Sequence, residues 1–174
     1  MHPTEAPAAE RSRRAGPLAV LCLSAFGLGL SPIMPGTVGS LGTAALLFFA
    51  PTGLVAYVGL TIACLVFGTW ATLAFAGHLG PEGGEGKHGD PGWVVSDEVA
   101  GQALASLGTL PWFGDWRHAL IAFVAFRVFD MTKVSIVGKA ERLPGAVGVL
   151  MDDVAAGALA AAVTLLLGFS GWLP

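Results

Sequence analysis

The 174-residue chain is 54% hydrophobic and only 12% charged, against roughly 25% charged in an ordinary soluble domain, and its mean hydropathy is +0.71. A net charge of −3 without a basic stripe argues against a nucleic-acid partner, and the length suits one membrane-associated unit. Cys22 and Cys64 lie in apolar runs, form no Cys-x-x-Cys and begin no Cys-x5-Arg loop, so they read as inert core residues.

Residues 1–17 open with "MHPTEAPAAERSRRAG", a polar, Pro/Ala-rich stretch predicted to be a disordered tail. Arg11, Arg13 and Arg14 favour the cytoplasmic side. No small-residue cleavage site closes the apolar run behind them. Residues 18–174 are then expected to form one membrane-embedded domain. Six apolar stretches follow, at residues 18–30, 41–50, 54–76, 99–110, 119–129 and 154–173. Only 54–76 and 154–173 reach the ~20 residues that span a bilayer as a helix. The first run is short enough to enter and return. "APTG" makes a hairpin of 41–50 with 54–76, and "LPWFGDW" makes another of 99–110 with 119–129. A hairpin begins and ends on one side of the membrane, so the polar motifs at these ends gather on one face. Lys133, Lys139 and Arg142 put that face in the cytoplasm. The fold predicted is an all-α, polytopic integral membrane bundle with short hairpin or re-entrant helices and a cytoplasm-facing polar site. Trp112, Trp116 and Trp172 suit an interfacial belt. The loop "GPEGGEGKHGD" reads as flexible, and His78, His88 and His118 as surface residues.

The polar motifs carry the chemistry. "WVVSDEVAGQALA" (residues 93–105) aligns without gaps on "GVLMDDVAAGALA" (residues 148–160). Val94, Asp97, Val99, Ala100, Ala103, Leu104 and Ala105 each meet an identical residue, and Glu98 meets Asp153. The chain therefore repeats a short apolar lead, a carboxylate pair and a small-residue helix. Ala100, Gly101, Ala156 and Gly157 would let the two helices approach closely, bringing Asp97, Glu98, Asp152 and Asp153 together. Clustered carboxylates repel unless some are protonated or a cation sits among them, and hard oxygen ligands suit Mg²⁺ or Mn²⁺. The plainer alternative makes Asp97 and Asp152 helix N-caps, with Glu98 and Asp153 favouring the dipole. "FRVFDMTK" adds Arg127, Asp130 and Lys133 at i, i+3 and i+6, either an ion-pair ladder or a phosphate-binding fork and point charge. In "SPIMPGTVGSLG", Gly36, Gly39, Thr37 and Ser40 form a turn-rich loop that could cradle an anion at the next helix. No Gly-x-Ser-x-Gly, Walker loop or Asp-x-Asp nucleophile motif is present.

The segments "GLGLSPIMPGTVGSL", "DPGWVVSDEVAGQ" and "FRVFDMTKVSI…ERLPGAVGVLMDDVAAG" resemble, in this order, the signature segments of the bacterial phosphatidylglycerophosphatase A family. The resemblance implies a Mg²⁺-dependent inner-membrane enzyme that converts phosphatidylglycerophosphate, a phospholipid of the bilayer, to phosphatidylglycerol and phosphate. It carries over Pro35, Gly36, Thr37, Gly39, Ser40, Asp90, Asp97, Glu98, Arg127, Asp130, Lys133, Asp152 and Asp153. The chain departs from the family pattern at Ser96, where Trp is usual, at Thr132 and Val134 around Lys133, and at Ala146. On this reading Asp97, Glu98, Asp152 and Asp153 hold Mg²⁺ or activate water, and Thr37, Gly39, Ser40, Arg127 and Lys133 receive the phosphate. Asp130 completes the metal shell or orients Arg127. The nucleophile is a water activated at the cation or an aspartate. The rival is a small cation transporter, since intramembrane carboxylates also mark ion paths; Arg127 and Lys133 would obstruct such a path.

Overall fold

The computed structural model describes residues 16–78, 92–133, 135–140, 143 and 145–171. The regular elements among them are helical: α1 (Pro17–Leu23), α2 (Pro35–Phe49), α3 (Leu54–Ala74), α4 (Ser96–Ser106), α5 (Trp116–Thr132), α6 (Ser135–Ala140) and α7 (Gly145–Phe169), with no strand among the described residues. The tail, His88, Asp90, Arg142 and Trp172 lie outside that set.

The first apolar run does not continue as one helix. Ala25, Phe26 and Gly27 all take left-handed φ values, which an α-helix of L-residues cannot absorb. The chain breaks there and folds a 3₁₀ turn (Leu28–Leu30) back against α2. Helix α2 starts at Pro35, earlier than the apolar pattern suggests. Proline at the first helical position is preorganised for entry, and the hydroxyls of Ser40 and Thr43 bond back to the Gly36 and Gly39 carbonyls at 2.8 and 3.0 Å. The expected loop at Gly36, Thr37, Gly39 and Ser40 is therefore the opening of a helix.

Both hairpins form, but the arms of the first scarcely touch. The short helix α4 lies against both α2 and α3 and packs most heavily on α7. Nearly all of α4 is buried, and glycines on its neighbours make room. A Cβ on Gly157 would strike the Gly101 carbonyl, and one on Gly68 would strike the Ser96 carbonyl. A Cβ on Gly101 would lie 2.7 Å from the Asp153 carbonyl. The close approach of the two repeated segments is thus present at Gly101 and Gly157, while Ala100 faces α3 at Gly68. At the far end, Tyr57 donates to the Ser106 carbonyl at 2.6 Å and pairs with Thr109 at 2.8 Å. Gly114, with φ +86°, turns the chain into α5, whose N-cap Asp115 accepts from Arg117 N–H at 2.9 Å.

Helix α7 also begins early, at Gly145. Asp152 and Asp153 consequently sit inside it instead of preceding it. His118 is 2% exposed and stacks on Trp112 at 4.4 Å between ring centres, which corrects its expected surface position. Cys22 and Cys64 are buried free thiols.

Helices α3 and α7 are long and apolar enough to cross a membrane, with only 28% and 44% of their apolar windows buried inside the protein. The core helix of a soluble domain would be mostly covered. Large apolar side chains also stand outward on other helices, including Phe49, Leu120, Val124 and Val128.

Candidate active site

Four helices bring the charged motifs to one end of the bundle. Asp97 and Glu98 occupy the first turn of α4, where the dipole favours them. The cap position there is Val95, which contributes no side-chain bond, and Asp152 lies about two turns into α7. Neither acidic pair is an N-cap pair, so the plain capping alternative does not describe them.

Carboxylate oxygens of Asp97, Glu98 and Asp153 lie within 4.8 Å of one another, a spacing that one cation can bridge. Asp97 is 4% exposed and Asp153 3%. Asp97 Oδ1 is buried with no hydrogen-bond partner among the described residues. Burial pushes the Asp97 carboxyl up to about 6, against a side-chain hydrogen bond shared with Glu98 and with the Asp152 charge adding to the rise. A hard, oxygen-only donor set with an orphaned buried oxygen fits a small divalent cation. The fourth predicted ligand, Asp152, is engaged differently: one oxygen accepts from the Asp153 N–H at 2.9 Å and the other holds Lys133.

The cations border this group. Arg127 Nη1 is 2.7 Å from Asp130 Oδ2 and donates to Ser40 Oγ at 3.4 Å, which ties α5 to α2. Lys133 follows α5 in a left-handed conformation with φ +47°. Its ammonium reaches both Asp152 and, at 3.4 Å, Asp130. Burial works to lower the Lys133 pKa. The Asp152 bond, with the charges of Asp152, Asp130 and Asp153, outweighs it and leaves the group raised.

The opening of α2 closes the site. A Cβ on Gly36 would collide with Glu98 Oε1 and come within 3.5 Å of Arg127 Nη1, so any larger residue there would have to push the Glu98 carboxylate from its place. Thr37 Oγ1 and Arg127 Nε are buried without partners among the described residues, donors suited to phosphate oxygens. Gly39 belongs elsewhere: a Cβ there would press on Val95 at 2.9 Å, which makes it a packing position. Gly68 and Thr72 on α3 also touch Ser96, the residue before Asp97, and no sequence pattern in that uncharged helix marks them.

Acids suited to a cation beside cations suited to phosphate, at one end of an apolar helical bundle, define the class: a helical phosphatase. The match to known proteins narrows this. The family described as phosphatidylglycerophosphatase A covers residues 21–168, and the chain belongs to that family of phosphoric monoester hydrolases. It is 39% identical over 144 residues (80% of this chain, 87% of the relative) to a Bacteroides thetaiotaomicron protein that carries the provisional name phosphatidylinositol-3-phosphatase. It is 33% identical over 147 residues (82% and 79%) to the phosphatidylglycerophosphatase A of Escherichia coli. Against the Haemophilus influenzae protein of that name it is 30% identical over 149 residues (83% and 85%). No solved structure matches the chain.

Proposed function

We propose that the chain hydrolyses phosphatidylglycerophosphate to phosphatidylglycerol and phosphate with Mg²⁺, as a polytopic protein of the bacterial inner membrane whose site faces the cytoplasm. The observation that carries this reading is the juxtaposition of the Asp97, Glu98 and Asp153 oxygens with Arg127 and Lys133. Asp97, Glu98 and Asp153 would hold the cation, with Asp152 beside them holding Lys133. A bound Mg²⁺ supplies charge neutralisation at the phosphoryl oxygens and makes water more acidic. The protein's own groups do the rest. Arg127 offers its guanidinium fork to the phosphate, and Asp130, 2.7 Å away, orients it. Lys133 adds a point charge, Thr37 and the first N–H groups of α2 are donors for the same anion, and Ser40, whose proton goes to the Gly36 carbonyl, steadies Arg127. Water adds to phosphorus, the phosphorus–oxygen bond to the glycerol breaks, and the glycerol oxygen leaves with a proton.

Arg127 and Lys133 pair with acids at the site, fixed positive charges that a cation path has little use for, and family membership also weighs against a transporter. The Bacteroides relative's name supplies a second substrate to test, phosphatidylinositol 3-phosphate. The experiment is phosphate release by the purified protein from each lipid, with and without Mg²⁺. Release from phosphatidylglycerophosphate that needs Mg²⁺ is expected; preference for the inositol lipid, or release indifferent to chelation, would overturn the reading.

A further inference from the structure

The residues leading into Asp97 are held from several sides. Val95 N–H donates to the Leu23 carbonyl at 2.8 Å. Gly29 leaves room for the Trp93 carbonyl, Gly39 packs on Val95, and Gly68 admits Ser96 and Ala100. Among the described residues, one contact in this collar joins two polar side chains. Thr72 Oγ1, on the membrane-length helix α3, lies 2.8 Å from Ser96 Oγ. Both residues are 0% exposed. The same Thr72 hydroxyl donates to the Gly68 carbonyl at 2.9 Å. Its single proton is thereby used, so Ser96 must be the donor in the pair. The result is a directed chain, Ser96 to Thr72 to the Gly68 carbonyl, with both hydroxyls satisfied in a buried place. Ser96 is the first residue of α4, directly before Asp97 and Glu98.

We propose that Thr72 is a positioning residue for the acidic site. Through Ser96 it sets the rotation and depth of the first turn of α4, and so the place of the Asp97 and Glu98 oxygens opposite Asp153. An apolar contact alone would tolerate sliding of α4 along α3. A hydroxyl pair with a fixed donor and a fixed acceptor tolerates little, because slippage leaves a buried donor unpaired. This inference rests on the cation reading above.

The test uses the full chain in detergent, with Mn²⁺ as the probe. Mn²⁺ binding is followed by electron paramagnetic resonance and phosphate release is measured in parallel. Ser96→Ala removes the donor yet leaves Thr72 bonded to Gly68, so it should fold. Ser96→Ala and Thr72→Val are expected to weaken Mn²⁺ binding about 10-fold, the scale for groups that orient metal ligands. Thr72→Ser should restore it. Thr164→Val removes a buried hydroxyl that donates to the Ala160 carbonyl of its own helix, and should leave Mn²⁺ binding unchanged. Wild-type affinity in both Ser96→Ala and Thr72→Val would overturn the positioning role, as would a Thr72→Ser variant as weak as Thr72→Val. Wild-type protein that binds no Mn²⁺ would overturn the cation reading itself, and this inference with it.

Discussion

Replacing Gly157 by Ala tests whether the two acidic helices are held together by backbone contact. Two effects of opposite sign compete. Alanine gains about 1 kcal/mol over glycine in helix propensity. The new methyl, however, would fall on the Gly101 carbonyl, which is helix backbone and cannot swing aside. Overpacking of a filled interior costs about 1–3 kcal/mol, and an immovable neighbour puts the cost toward the upper end. The net expectation is a loss of about 1–2 kcal/mol, or roughly 2–8 °C in melting temperature for a chain of this size. Activity should suffer more than stability. Helices α4 and α7 carry Asp97, Glu98 and Asp153, and a separation of about 1 Å between reacting groups costs on the order of 10²-fold in rate. The control is Gly59→Ala on α3, where nothing lies within 4 Å of the added methyl; its melting temperature should hold or rise. Thermal melts in detergent and phosphate release at a temperature where both variants stay folded measure the two effects. A Gly157→Ala protein that melts at or above wild type with normal turnover would refute the close-packing argument.

Asp97→Asn and Asp153→Asn should each cut phosphate release on the order of 10²-fold, the scale of losing one preorganised electrostatic group, while the melt stays near wild type; normal turnover in both would remove the acids from the site. Arg127→Lys should lose most activity, because Nη1 alone contacts Asp130 and Ser40 and leaves Nε for a phosphate oxygen, a division of donors that one ammonium cannot reproduce; activity equal to wild type would show that the guanidinium is not used. Chelation with EDTA should abolish turnover and Mg²⁺ should restore it, and full activity after exhaustive dialysis against chelator would contradict a cation site. Gly92→Cys and Leu143→Cys introduce exposed thiols near the two acidic motifs, beside native cysteines that are buried. In intact cells a membrane-impermeant reagent should reach neither, and labelling of one would contradict a shared cytoplasmic face.

The acidic motifs, the Arg127–Asp130–Lys133 spacing and the two long apolar helices were all legible in the sequence, because each is a local pattern of residue types. Helix starts were less so. An apolar run begins where side chains turn greasy, at residues 41 and 154, whereas the backbone becomes helical at Pro35 and Gly145. Local back-bonds and tertiary partners together explain the difference: the Ser40 and Thr43 hydroxyls bond back to the Gly36 and Gly39 carbonyls, Ser40 also accepts from Arg127, and Asp152 is paired with Lys133. Helix α3 carries no charged residue and only scattered hydroxyls, so no stripe indicates which of its faces meets the protein. That is why Gly68 and Thr72 gave no signal, and why α4 could not be placed between the arms of the first hairpin.

The repeat itself shows what pattern alone leaves open. Asp97–Glu98 and Asp152–Asp153 align in register, yet one pair opens a helix and the other lies about two turns inside one. The symmetry of sequence is not a symmetry of position. It is the second residue of the later pair, Asp153, that joins Asp97 and Glu98, which frees Asp152 to hold Lys133. The asymmetry has a chemical use. A fully symmetric cluster of four acids would bind a cation but leave the flanking lysine without a fixed partner. On the proposed reading, dividing the later pair gives one carboxylate to the cation group and one to the phosphate group, on consecutive residues of one helix. Helix α7 thereby fixes the distance between the two halves of the site, as a loop would not.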